Sequence, residues 1–163
     1  MEINIHESQY AQKAETLFKS GCNCSQAVLL SFADICGIDR KTALMISSSF
    51  GGGIGRLREV CGAFSGLCMA AGLLYGYDDV KDYNAKSEHY KRIQLLAEEF
   101  RKMNGSIICR ELLGLNVKHD IHTPEKRTQE YYKKRPCSQI CAVSAAILEA
   151  YISEHPIENG GIV

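Results

Sequence analysis

The 163-residue sequence carries no net charge, since 19 lysines and arginines balance 19 aspartates and glutamates. A general nucleic-acid binder needs a basic face, so this balance argues against one and leaves no broad field to steer a charged partner. No uninterrupted apolar run reaches the roughly 20 residues of a membrane-crossing helix. The opening stretch, MEINIHESQY, lacks a basic patch followed by an apolar segment. No export signal is therefore expected, and the protein is read as cytoplasmic. Internal repeats, linkers and low-complexity tracts are missing as well. Familiar catalytic and cofactor signatures are equally scarce. The glycine cluster at Gly51 to Gly55 lacks the Gly-Lys-Ser/Thr of a P-loop. It also has Arg56 where a dinucleotide fingerprint needs its last glycine, and no clear strand before it. There is no Cys-x-x-Cys pair of the kind that marks a structural zinc site, and no Cys-x-x-Cys-His for covalent haem. No nucleophile elbow occurs, and the carboxylates spread over exposed helical faces, which leaves hydrolytic or acid–base catalysis without support.

Cysteine is what the sequence has in abundance, with eight in the chain. In a small secreted protein such a number suggests a disulfide scaffold. Here 45% of the residues are hydrophobic, enough for an ordinary core, and no export signal is seen. Metal, cluster, redox or packing roles for the thiols follow instead.

Helical patterning covers almost every segment. The first helix carries Tyr10, Ala14, Leu17 and Phe18 at helical spacing and stops at Gly21. A second runs from the N-cap Asn23 to Gly37, and a third starts on Asp39. The end of the third is ambiguous, because Ile46 to Phe50 also suits extended backbone. After the glycine loop, Cys61 to Gly76 is apolar nearly all round and reads as a buried helix. The longest and most amphipathic helix spans Asp82 to Gly105, and a short one covers Ser106 to Gly114. The loop Leu115 to Pro124 leads to a polar stretch around Glu125 to Tyr132. A closing helix starts near Pro136, a residue suited to a first turn. The expected fold is all-α: one helical domain over residues 1–163, a multi-helix bundle with short connections and a loose tail over 156–163.

Four cysteines fall at helix starts on this map: Cys24 after Asn23, Cys61 after the glycine loop, Cys109 in the short helix and Cys137 after Pro136. A helix N-terminus carries unpaired N–H groups and a partial positive charge, which lower a thiol pKa. Basic residues accompany three of the four: Arg56 and Arg58 before Cys61, Arg110 beside Cys109, and Lys133 to Arg135 before Cys137. The loop residues Gly51, Gly52, Gly53 and Arg56 form a candidate anion or thiolate cradle, with a tight interhelical turn as the equal alternative. Gly62 and Gly66 allow a helix or bound group to come close. Cys36 and Cys68 lie inside apolar runs and read as packing residues. Cys141 shares a helix face with Cys137, and Cys22 lies two residues before Cys24, with no role assigned to either. His119 and His122 in HDIH read as a solvated pair, and Tyr131 with Tyr132 suits a partner surface or a helix end equally.

These residues carry a resemblance. NCSQAV at Asn23 to Val28, FGGGIGR at Phe50 to Arg56, VCGAFSG at Val60 to Gly66, CRELLG at Cys109 to Gly114, and Cys137 followed by AAIL resemble the C-GCAxxG-C-C family. The resemblance runs from about Glu15 to Leu148. It implies redox activity, four family cysteines at Cys24, Cys61, Cys109 and Cys137, and an association with transporters. Three functions then fit. The first is a thiol-based redox protein, with Cys61 as the low-pKa attacking thiolate and Cys137 with Cys141 as a local pair. The second is a metal or iron–sulfur module using Cys24, Cys61, Cys109 and Cys137 as ligands. The third is a helical interaction protein that works with a redox or transport-associated partner.

Overall fold

Polar residues set just before apolar runs dictate most of the helix starts. In a computed structural model, which describes residues 1–157, the chain runs as α1 (Gln9–Lys19), α2 (Cys24–Ser31), α3 (Arg40–Ser47), a 3₁₀ turn (Ser48–Phe50), α4 (Gly51–Ile54), α5 (Gly62–Tyr75), α6 (Tyr83–Asn104), α7 (Cys109–Leu112), α8 (Gln129–Lys134) and α9 (Cys137–Glu154). Ser8, Asn23, Asp39, Asp82 and Thr128 each accept a hydrogen bond from the N–H three residues on, capping α1, α2, α3, α6 and α8. Each such cap is worth about 1 kcal/mol. At α2 the cap is reciprocal, because the Gln26 side chain also accepts from the Asn23 N–H at 3.0 Å. Most of the tail expected over 156–163 lies outside the described residues.

The all-α expectation holds. Among the described residues the only sheet-like pairing is one antiparallel bridge between Val60 and Ile108. Several boundaries differ from the sequence reading. The short helix read over Ser106 to Gly114 is confined to Cys109–Leu112. The second helix stops at Ser31 rather than running to Gly37, because Phe32 and Ala33 turn their N–H groups to the i−3 carbonyls of Leu29 and Leu30. The stretch Ile46 to Phe50 stays helical in character, with Ser47 and Ser48 hydroxyls bonded back to the carbonyls of Ala43 and Met45.

α2 is the central element, with Cys24, Ser25, Ala27, Val28, Leu29, Leu30 and Ser31 all buried. It packs against α1, α3, α5 and α9, while α6 covers α5 and α9. Phe18, Phe32, Phe100, Leu29, Leu67, Leu96, Ile147 and Leu148 are fully buried between these helices. Each contributes on the order of 1.5–3 kcal/mol by leaving water. α1 lies close along α9, where Ala11 meets Ala142 and Ala146. α5 approaches α2 just as closely, and Gly66 makes that possible, since a Cβ there would sit 2.6 Å from the Ser25 carbonyl oxygen. This packing aims the starts of α2, α5, α7 and α9 at one region. No helix among the described residues is long and apolar enough to cross a membrane.

Candidate functional site

Cys24, Cys61, Cys109 and Cys137 line a single cavity of about 250 Å³. Local structure brings each of them there. Cys24 is the first residue of α2 and is fixed by the capping box around Asn23. The end of α3 is tied to this point: Asn23 Nδ2 donates to the Ser48 carbonyl at 3.0 Å, Ser25 Oγ to Ser47 at 2.6 Å and Gln26 Nε2 to Leu44 at 3.0 Å. Cys61 and Cys109 flank the Val60–Ile108 bridge. Cys61 N–H donates to the Ile107 carbonyl at 2.7 Å, and Cys109 N–H donates to the Glu59 carbonyl at 2.6 Å. Cys137 follows Pro136 as the first residue of α9. Gly62 lets α5 begin against the sulfur of Cys24, since a Cβ at that position would lie 2.7 Å from Cys24 Sγ.

The glycine cluster forms a left-handed turn at the cavity wall. Gly52, Gly53, Ile54, Gly55 and Arg56 all have φ between 55° and 70°, and Arg58 has 60°. Such a run is a left-handed turn, and for Ile54 in particular that conformation is strained. The N–H groups of Arg56, Arg58 and Glu59 are spent inside the loop, on the carbonyls of Gly51, Gly52 and Gly53. Gly51 and Gly52 do line the cavity, as does Arg56. Gly53 is set back, pressed against Cys109, where a Cβ would meet Cys109 Cβ at 2.6 Å. The left-handed turn therefore serves to fold Arg56 and Arg58 inward over the thiols.

Arg58 shows what that achieves. It is 4% exposed, and its Nη1 donates to Cys109 Sγ at 3.7 Å while Nη2 donates to Asp120 Oδ2 at 2.7 Å. Arg56 reaches the same carboxylate oxygen at 2.7 Å and donates from Nε to the Ile121 carbonyl at 2.7 Å. Asp120 is held below its usual range, chiefly by the hydrogen bond from Arg58. The guanidinium next to Cys61 in sequence thus serves Cys109 in space.

Burial dominates the thiols. It drives Cys61 well above the ordinary range, although the Ala63 and Phe64 amides at the start of α5 pull the other way. The expectation of an acidic Cys61 is corrected on this ground: desolvation of a buried thiolate outweighs a helix terminus. Burial likewise raises Cys109, opposed by its hydrogen bond from Arg58, and pushes Cys137 up to about 12. After burial, a charge on Cys24 further disfavours ionisation of Cys61, Cys137 and Cys141, and it acts on Cys109 too. A charge on Cys24 is thus felt at Cys61, Cys109, Cys137 and Cys141.

The remaining cysteines stand apart from the cavity. Cys36 is fully buried with Sγ 3.8 Å from the Ala70 carbonyl, in keeping with a packing role. Cys68 is partly buried in α5. Cys141 sits behind the site, fully buried, with Sγ donating to the Cys24 carbonyl at 3.7 Å, so it supports Cys24 from beneath. Of the two loop histidines, His122 lines the cavity and His119 does not. Sequence reasoning missed Arg127 and Asp120 altogether. Arg127 lies over the rings of Phe18 at 4.2 Å and Tyr131 at 4.8 Å, and it faces the cavity. Nothing in the polar run around it marks it out, since only the fold brings it to Phe18.

Thiolates suit zinc or an iron–sulfur cluster by chemistry. Among the described residues, however, no group of three or more His, Cys, Asp or Glu side chains stands close enough to hold a metal ion. The sulfurs share a cavity without forming a closed ligand shell. Searches of curated proteins and of solved structures returned no match to the chain. Residues 22–151 match the family described as "Putative redox-active protein (C_GCAxxG_C_C)". With most of its length accounted for by that match, the chain belongs to the C_GCAxxG_C_C family.

Proposed function

We propose that the protein is a thiol–disulfide redox protein whose working sulfurs are Cys24, Cys61, Cys109 and Cys137. The observation that carries the reading is that one cavity collects these four thiols from four helix starts distant in sequence. Two sulfurs must come within bonding distance for a disulfide to form, and lining one cavity is the first requirement for that. The family description as redox-active is consistent with it.

Cys109 is the candidate for the attacking thiol, because it alone among the four holds a hydrogen bond from a buried guanidinium. That contact favours the thiolate, the nucleophilic form. In the proposed sequence Cys109 loses its proton and attacks one sulfur of a disulfide, R–S–S–R. One R–S⁻ leaves and takes up a proton, and a mixed disulfide remains on Cys109. Cys24, which lines the same cavity, then attacks the Cys109 sulfur of that mixed disulfide and releases the second R–S⁻. The protein ends with a Cys24–Cys109 disulfide, and two electrons have passed to the substrate, which leaves as two R–SH. Arg58 holds Cys109 and, through Asp120, is itself held in place.

The test is to treat fully reduced chain with 2-hydroxyethyl disulfide and map the products by non-reducing peptide mass spectrometry. A disulfide between Cys24 and Cys109, with two equivalents of thiol released per chain, is the expected result. Cys24→Ser should stop the reaction at the mixed disulfide on Cys109. Four thiols that react independently, with no internal disulfide, would overturn the reading.

A further inference from the structure

The charge of the cavity bears on what enters it. Arg56, Arg58, Arg127 and Arg135 all line it. Two carboxylates answer these four guanidinium groups. Asp120 is shared by Arg56 and Arg58 at 2.7 Å each, and Glu125 pairs with Arg135 and lies 3.9 Å from Arg56. The wall is left with an excess of positive charge although the whole chain is neutral.

Two groups hold that excess. Arg127 donates to the carbonyls of Phe18 at 3.4 Å and Cys22 at 3.3 Å, and among the described residues no carboxylate lies within ion-pair distance of it. Arg58 has a side chain only 5% exposed, and among the described residues its buried Nε finds no hydrogen-bond partner. That Nε is sealed from the cavity, so the Arg58 charge acts on the cavity at short range without offering that N–H to a ligand. Guanidinium groups match carboxylates in shape as well as charge.

We infer that the cavity selects a small anionic substrate, a low-molecular-mass disulfide with a carboxylate near its sulfurs, anchored by Arg127. The sulfur chemistry in this inference rests on the thiol–disulfide reading above; the charge selectivity does not. Size agrees with it. The cavity holds about 250 Å³, whereas an apolar cavity of about 150 Å³ takes up benzene, so a molecule of about ten heavy atoms fits. The balance is that of thiol–disulfide exchange: two protein S–H bonds and one substrate S–S bond are replaced by one protein S–S bond and two substrate S–H bonds. The two electrons move from protein to substrate.

Alkylation tests the selectivity without any redox step. Reduced full-length chain is treated at about pH 8.5 with iodoacetate or with iodoacetamide, which differ chiefly in charge, and modification of Cys24, Cys61, Cys109 and Cys137 is followed by mass spectrometry. Both reagents consume thiolate, so the ratio of their rates cancels the degree of ionisation. At the cavity thiols the iodoacetate-to-iodoacetamide ratio should exceed that of free cysteine by about tenfold, and high salt or succinate should bring it down. Arg127→Gln should lose most of that excess. A ratio at or below that of free cysteine at all four positions overturns the inference, as does failure of all four to react with either reagent. An excess that survives Arg127→Gln removes Arg127 as the anchor. Should that variant not fold, the ratio and its suppression by succinate in the native chain decide alone. Anion preference without any Cys24–Cys109 disulfide would sink the exchange reading and leave the selectivity standing. Disulfide formation without anion preference would do the reverse.

Discussion

A single added methyl group at Gly62 would press on the Phe50 carbonyl oxygen at 2.6 Å and on Cys24 Sγ at 2.7 Å. Neither neighbour yields easily: one is backbone, and the other is the first residue of a capped, buried helix. Gly62→Ala is expected to destabilise the fold by about 1–3 kcal/mol, read from denaturant unfolding. The same substitution should also change how fast Cys24 is alkylated. A change at the surface of α6 of equal size should do neither. At this scale the sequence was informative about which cysteines gather at the cavity and misleading about which arginine meets which. Helix starts are local features, so Cys24, Cys61, Cys109 and Cys137 could be singled out from their caps and flanking residues. Arg58 stands beside Cys61 in the chain, and adjacency suggested it would serve that thiol. Its left-handed φ of 60° is part of a turn that sends the guanidinium to Cys109 instead. Desolvation of Cys61 is likewise a property of packing, which no local pattern records.

Among the elements, the turn from Gly51 to Glu59 holds three non-glycine residues, Ile54, Arg56 and Arg58, at left-handed φ. Glycine bears the left-handed geometry at Gly52, Gly53 and Gly55, but Ile54 holds φ 62° with a β-branched side chain that is 38% exposed. Replacing it by Asn, which tolerates this region, should stabilise the protein by about 0.5–1 kcal/mol, measured by thermal or denaturant unfolding. A loss of stability instead would mean that the Ile54 side chain contributes more packing than its exposure implies. The caps at Ser8, Asn23, Asp39, Asp82 and Thr128 follow rules that act within three residues, which is why most helix starts were legible. The early end of α2 was not legible, because Phe32 to Cys36 keep an apolar pattern suited to a helix while the backbone tightens into turns. The pairing of residues 58–61 with 107–110 was invisible too. It is a single bridge between segments far apart in sequence, too short to leave a periodic signal.

For the molecule as a whole, the buried thiols make stability depend on pH in one direction. Burial pushes Cys36, Cys68 and Cys137 from an ordinary 9.0 up to about 12. Between those values the folded chain keeps protons that the unfolded chain has released. Stability contributed by these groups is therefore complete below pH 9 and is lost as pH rises toward 12. Burial also raises Tyr75 to about 12, which extends the loss above pH 10. Denaturation midpoints in reducing buffer should fall between pH 8 and pH 10.5, and Cys36→Ala should make that fall shallower. A flat profile would show that these sulfurs reach water more readily than their burial indicates. The all-α class was accessible because periodicity speaks for the entire chain. The charge of the cavity was not, because a net charge of zero hides an arginine-rich wall.

The close run of α1 along α9 joins residues from opposite ends of the chain. During synthesis α1 leaves the ribosome long before its partner exists, so Phe18 and the neighbouring Cys22 and Cys24 wait without their cover. Sulfurs destined for a sheltered chamber thus spend translation partly open to whatever oxidants the surroundings hold, and the arrival of α9 completes their cover.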